Sequence, residues 1–199
     1  MEGEDLEILK FSKNIHNGFY VDVGCYHPIH LNNCHLLFKK GWEGINIDIS
    51  NFSIDLFKYL RPNDVNLNCA ISNSSEIISY YYQKKLSQLT TLKENLAKER
   101  MQGHVKKALI KSEKLTTILE KSRFKNERID FLNIDVEGAD FDVLNSLDFN
   151  IYRPKIICIE IIEKVTDSKI YSFLKEKNYS LRWSSVSKLS HIFLDEKIY

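Results

Sequence analysis

The sequence contains no apolar run approaching the ~20 residues needed to span a bilayer, so a transmembrane helix is excluded. Its start, Met1-Glu2-Gly3-Glu4-Asp5, is acidic where a secretory leader is basic. A soluble, cytoplasmic protein is therefore expected. Proline, glycine and serine nowhere cluster into a linker, and a chain of 199 residues buries enough surface for one core, so 1–199 is read as one domain. No Cys-x-x-Cys spacing occurs among Cys25, Cys34, Cys69 and Cys158, two of which lie in apolar, strand-like runs. Free thiols are expected rather than disulfides or a zinc site, and no metal is assigned.

Excess charge of either sign is also lacking overall, with a formal net charge of +1. That balance hides a division. From Lys84 to Arg128 there are 13 Lys or Arg against 5 Glu, whereas the rest carries 15 basic against 22 acidic residues. A basic segment beside an active site attracts phosphorylated or carboxylated partners, and a solvated lysine-rich face accounts for it equally well.

Five short runs rich in Val and Ile read as strands: 19–23, 45–49, 65–71, 129–135 and 155–161. Helical spacing alternates with them, at Leu36-Leu37-Phe38, at Phe52, Leu56, Phe57 and Leu60, at Phe141, Val143, Leu144 and Leu147, and at Ile170, Phe173 and Leu174 after a cap at Thr166 or Asp167. The alternation predicts an α/β, Rossmann-like, doubly wound and mostly parallel sheet. Two final strands, 180–184 and 191–194, predict a C-terminal antiparallel hairpin. Residues 74–128 exceed the usual crossover length. Leu92, Leu96, Val105, Leu109, Leu115, Ile118 and Leu119 suggest amphipathic helices there, broken at Gly103, forming a helical insert or cap between the third and fourth strands.

Chemistry concentrates at strand ends. Asp22-Val23-Gly24 closes the first strand, Asp48 the second, and Asp135-Val136-Glu137-Gly138 the fourth. A glycine that lets backbone approach a ligand, followed by a carboxylate able to accept ribose hydroxyls, describes a nucleoside pocket. The dinucleotide fingerprint is missing: Tyr26 stands where its second glycine belongs, and Pro28 biases His27 away from helical geometry. No phosphate-binding Gly-x-x-x-x-Gly-Lys loop exists either. A ribose-bearing ligand without phosphates fits, with S-adenosylmethionine the leading candidate.

Three ordered blocks carry a family resemblance: Tyr20-Val21-Asp22-Val23-Gly24-Cys25-Tyr26-His27-Pro28, Lys40 to Asp48, and Ile129 to Asp140, with Arg153 to Ile157 leading into the fifth strand. Together they resemble the FkbM-like methyltransferases. The resemblance implies methyl transfer from S-adenosylmethionine, usually to a hydroxyl of a sugar or another small metabolite. It implies Asp22 and Gly24 beside the methionine portion, with Cys25 where the family more often has alanine. Asp48 would then meet the ribose, Cys69 and Ala70 the adenine, and Asp135 and Glu137 the sulfonium or the acceptor.

A hydroxyl acceptor needs its proton removed. His27, Asp135, Glu137 and Glu160 are the candidate bases, His27 first because an imidazole accepts a proton near neutral pH. Orienting the loop is its plain structural alternative. His191, in a strand, reads as structural. The acceptor is taken to be a small molecule or glycan, anionic if the basic segment receives it. Two other readings stay open: a noncatalytic sensor of the same nucleoside, and a nucleic-acid methyltransferase, which no Asn-Pro-Pro-Tyr or Pro-Cys signature supports.

Overall fold

The computed structural model describes residues 2–197. In chain order the elements are α1 (Glu4–Phe11), β1 (Phe19–Val23), α2 (His35–Lys39), β2 (Glu43–Asp48), α3 (Asn51–Leu60), β3 (Val65–Asn68), β4 (Ala70–Ile71), β5 (Ile77–Tyr82), α4 (Glu94–Arg100), β6 (Lys106–Glu113), α5 (Leu115–Lys121), β7 (Phe131–Ile134), α6 (Asp140–Asn145), β8 (Ile156–Glu160), α7 (Lys169–Glu176), β9 (Tyr179–Ser184) and β10 (Ser190–Asp195). Seven strands form one sheet in the order β3-β2-β1-β7-β8-β10-β9. The first five run parallel and β10 pairs antiparallel with both neighbours, which is the predicted architecture with its terminal hairpin. No helix among the described residues is long and apolar enough to cross a membrane.

The central strands read as continuous apolar runs because both their faces are covered. On one face Val21, Val23, Ile45, Ile47, Leu132, Ile134 and Ile157 pack with Leu115 and Leu119 of α5, Leu144 of α6 and Leu174 of α7. On the other, Tyr20, Phe131, Ile156 and Ile192 pack with Ile8 of α1, Leu37 of α2 and Trp42. Helix α1 carried no signal used above. Its acidic first turn, Glu4, Asp5 and Glu7, complements the helix dipole.

Two expectations need correction. The run 65–71 is not one strand: β2 ends at Asp48, so the chain beyond Asn68 has no partner in the main sheet, and β4 pairs parallel with β6 instead. Nor is the insert purely helical. Helices α4 and α5 lie within it, but Val105 and Leu109 do not share a helix, because β5 and β6 form an antiparallel pair. Ile110 and Ser112 of β6 are buried while Leu109 and Lys111 are exposed, so burial follows period two. A smaller correction concerns α7, whose cap is Ser168: its side chain accepts from the Tyr171 amide, and Thr166 and Asp167 sit in the preceding 3₁₀ turn.

Candidate active site

Because β1, β2, β7 and β8 are parallel, their carboxyl ends gather at one rim, where doubly wound sheets bind ligands. A crevice opens there, floored by Asp22, Gly24, Asp48, Asn133 and Asp135 and walled by Leu86, Ser87, Gln88 and Thr90, a concave site of the kind that holds small molecules. Gly24 turns the chain at its base with φ +81°, and a Cβ there would lie 1.7 Å from the Asp135 carbonyl oxygen. Only glycine fits. Three bulky residues on the lining, Tyr26, Leu31 and Glu137, also hold positive φ of 52–54°. Each such conformation costs about 1–3 kcal/mol, strain that concentrates at ligand sites.

Asp48 closes β2. Its Oδ2 accepts from the Tyr26 amide at 2.9 Å and its Oδ1 from the Ser50 amide at 2.7 Å. Burial pushes its carboxyl up to about 6 against the pull of those two amides. The Ser53 side chain adds a smaller pull in the same direction, and a carboxylate has acceptor sites for more than these partners.

Asp22 is fully buried, at the centre of a row of cross-strand neighbours, Asn46, Asp22 and Asn133. It accepts from Asn32 at 2.7 Å and Asn133 at 2.9 Å, and desolvation raises its pKa despite them. Asn32 is fixed in turn by Arg61, 2.8 Å from its Oδ1. Arg61, itself buried, lies over Phe38 and Phe57, with its guanidinium carbon 4.8 and 4.9 Å from the two ring centroids. A buried cation thus holds the 25–32 loop over the sheet, and the acid faces partners that fix its orientation.

The other end of the crevice is acidic. Carboxylate oxygens of Asp135, Glu137 and Glu160 lie within 4.8 Å of one another. Asp135 is open on the crevice side yet walled in by protein elsewhere, and desolvation, then Glu160 and Asp22, push it up to about 7. Glu137 and Glu160 are likewise pushed up to about 7, by burial first and next by the neighbouring acids Asp135 and Glu137 respectively. Such a trio shares its protons near neutrality, so the values belong to the group. Its spacing suits a cation as well as a proton. Asp140 shapes the turn beneath, accepting from the amides of Val136 at 3.1 Å and Gly138 at 3.0 Å.

The insert covers this rim. Arg100 of α4 reaches Glu137 at 2.6 Å, the Thr91 hydroxyl donates to the Glu137 carbonyl at 2.7 Å, and Ser50 donates to the Lys85 carbonyl at 2.5 Å. The segment between, with Leu86, Ser87, Gln88 and Thr90 on the lining, is pinned at both ends across the crevice.

Asp22, Gly24, Cys25, Asp48, Cys69, Ala70, Asp135 and Glu137 all line the crevice. His27 does not. Its Nδ1 accepts from the amides of Ile29 at 3.1 Å and His30 at 3.0 Å, and burial lowers its pKa. His191 is buried between Ser184 and the Lys188 carbonyl. Cys69 is pushed up to about 12, chiefly by burial, which leaves it a neutral thiol. Sequence reasoning missed Asn32, Asn33, Asn133 and Arg100. Asn133 carried the one readable signal, an amide inside an otherwise apolar strand. Arg61 carried none, since an arginine before Pro62 reads as surface.

The family model described as Methyltransferase FkbM domain matches residues 22–181, which includes all of these crevice residues. No curated protein matches the chain.

Proposed function

Because the chain belongs to the FkbM family of S-adenosylmethionine-dependent methyltransferases, we propose that it methylates a hydroxyl of a sugar or related small metabolite, using the crevice at the carboxyl rim. One observation carries the choice of site. The lining carries four carboxylates, Asp22, buried and bonded to Asn32 and Asn133, Asp48, Asp135 and Glu137, of which Glu137 is paired with Arg100, and no Lys, Arg or His of its own among the described residues. A pyrophosphate would be repelled there, whereas a cationic ligand with a ribose is favoured. Gly24 supports the same fit, since the backbone lies bare where a ligand would rest.

We read 1–199 as one domain, with 74–128 as the cap of this site. In it Asp48 accepts the ribose hydroxyls, Cys69 and Ala70 flank the adenine, and Asp22, through Asn32 and Asn133, holds the methionine end with Gly24 and Cys25. When bound, the cofactor supplies a methyl group on a sulfonium leaving group. The protein's contribution is alignment, worth roughly 7–11 kcal/mol where the approach is collinear, together with removal of the acceptor proton, worth about 100- to 10,000-fold. We assign the proton to the Asp135, Glu137 and Glu160 trio and not to His27, whose Nδ1 is committed to the loop. Carboxylates near pKa 7 are basic enough to accept a proton at neutral pH.

The basic segment enters differently from the sequence expectation. Its residues on the crevice lining, Leu86, Ser87, Gln88, Thr90 and Leu92, are uncharged. The reacting end of the acceptor is therefore read as an uncharged hydroxyl, with no cation of the insert on the lining to receive an anion. Incubation with isotopically labelled methyl donor and a panel of sugars, glycosides and polyols tests the reading. Label incorporated into a methyl ether supports it, while donor binding with no transfer to any member would reduce the protein to a nucleoside sensor.

A further inference from the structure

A second groove opens beside the crevice and shares Ser50 and Thr90 with it. Tyr80 and Tyr82, two apart on one face of β5, stack with centroids 5.4 Å apart and planes 26° apart. Phe52, 45% exposed in the first turn of α3, adds a third ring. The wall is cationic: Lys84 and Lys85 are exposed, and neither has a carboxylate within ion-pair distance among the described residues. The acid on the lining, Asp55, is already met by Asn51 at 3.0 Å and Lys58 at 3.4 Å. The amino end of the ten-residue α3 opens into the same space, adding the positive end of its dipole.

We propose that this groove is a subsite for an anionic saccharide, with sugar rings on Phe52, Tyr80 and Tyr82 and the phosphate or carboxylate on Lys84 and Lys85. Aromatic faces cover the apolar faces of a sugar ring and leave its hydroxyls at the edge, where the Asn51 carboxamide offers an acceptor and a further N–H. Lysine is a point charge that suits either anion. The assignment rests on the acceptor class proposed above, and it separates two tasks. The acidic crevice takes the neutral hydroxyl that reacts, and the basic groove next to it takes the charge carried elsewhere on the same glycan.

Calorimetry on the full chain tests this with four probes: an oligogalacturonate, a phosphorylated oligosaccharide, a neutral malto-oligosaccharide of equal length, and an oligothymidylate. One or both anionic saccharides should bind, with affinity about tenfold lower or worse for Lys84→Glu/Lys85→Glu and for Tyr80→Ala/Tyr82→Ala. Both variants should bind S-adenosylmethionine as the parent does, which also shows that they fold. Absence of binding by either anionic saccharide, equal affinity for the neutral one, tighter binding of the oligothymidylate, or an unchanged saccharide affinity in the lysine variant each overturns the subsite. Saccharide binding by a chain that ignores S-adenosylmethionine would sink the proposed function and leave the groove standing.

Discussion

Gly24 has no room for a side chain, and its neighbour in conflict is backbone. The Asp135 carbonyl that a Cβ would strike at 1.7 Å belongs to the turn carrying Asp135 and Glu137, two members of the acidic trio. Gly24→Ala should therefore push β1 and β7 apart at the rim and abolish S-adenosylmethionine binding, with a lowered melting temperature as the companion readout. Ordinary cofactor affinity in that variant would show that the rim is not the binding site. Residues like these were legible because a glycine or a carboxylate at the end of an apolar run stands out. Their partners were less so: Asn133 stands out as an amide in an apolar strand, but it lies 111 residues from Asp22 and reaches it only when β1 and β7 pair, while Asn32 reaches it from the loop after β1. The same holds for Arg61, whose burial depends on Phe38 and Phe57 closing over it.

At the scale of elements the insert matters most. Its β6 was misread because Val105, Leu109 and the leucines after it satisfy helical spacing, yet tertiary pairing with β5 decided the outcome. The exposed Leu109 that misled the helical reading lies opposite Ser79, on the open face of the pair. Helix α4 delivers Arg100 to Glu137, and that cation lowers the pKa of both Glu137 and Glu160. Arg100→Ala should accordingly raise the proton affinity of the trio. With the trio as base, turnover is expected to rise as its carboxylates ionise near pH 7, and this acid limb should move to higher pH in the variant. An acid limb that stays in place would remove the trio as the base.

Across the whole molecule, the order of strands and helices was legible from apolar runs alternating with helical spacing, whereas the division of the third strand between two sheets was not. That division depends on β2 ending at Asp48, a tertiary fact. The accumulated acids at the rim also set the stability of the protein against pH. Asp135, Glu137 and Glu160 are pushed up to about 7 in the folded protein, from ordinary carboxyl values of 3.8 to 4.5. The folded state thus holds more protons than the unfolded one between those limits, so their contribution to stability is present at low pH and lost as pH rises through about 7. The melting temperature without ligand should fall between about pH 5 and pH 8, and fall less in Glu160→Gln. Identical profiles for variant and parent would contradict the raised values.

The crevice as the seat of the methyl donor is tested most directly by titrating S-adenosylmethionine into the parent protein and into Asp48→Ala by calorimetry. The account predicts one site per chain in the parent and an affinity weaker by about 1–3 kcal/mol in the variant, the cost of unpaired ribose hydroxyls. No measurable heat from the parent, or equal affinities in the two proteins, would contradict it.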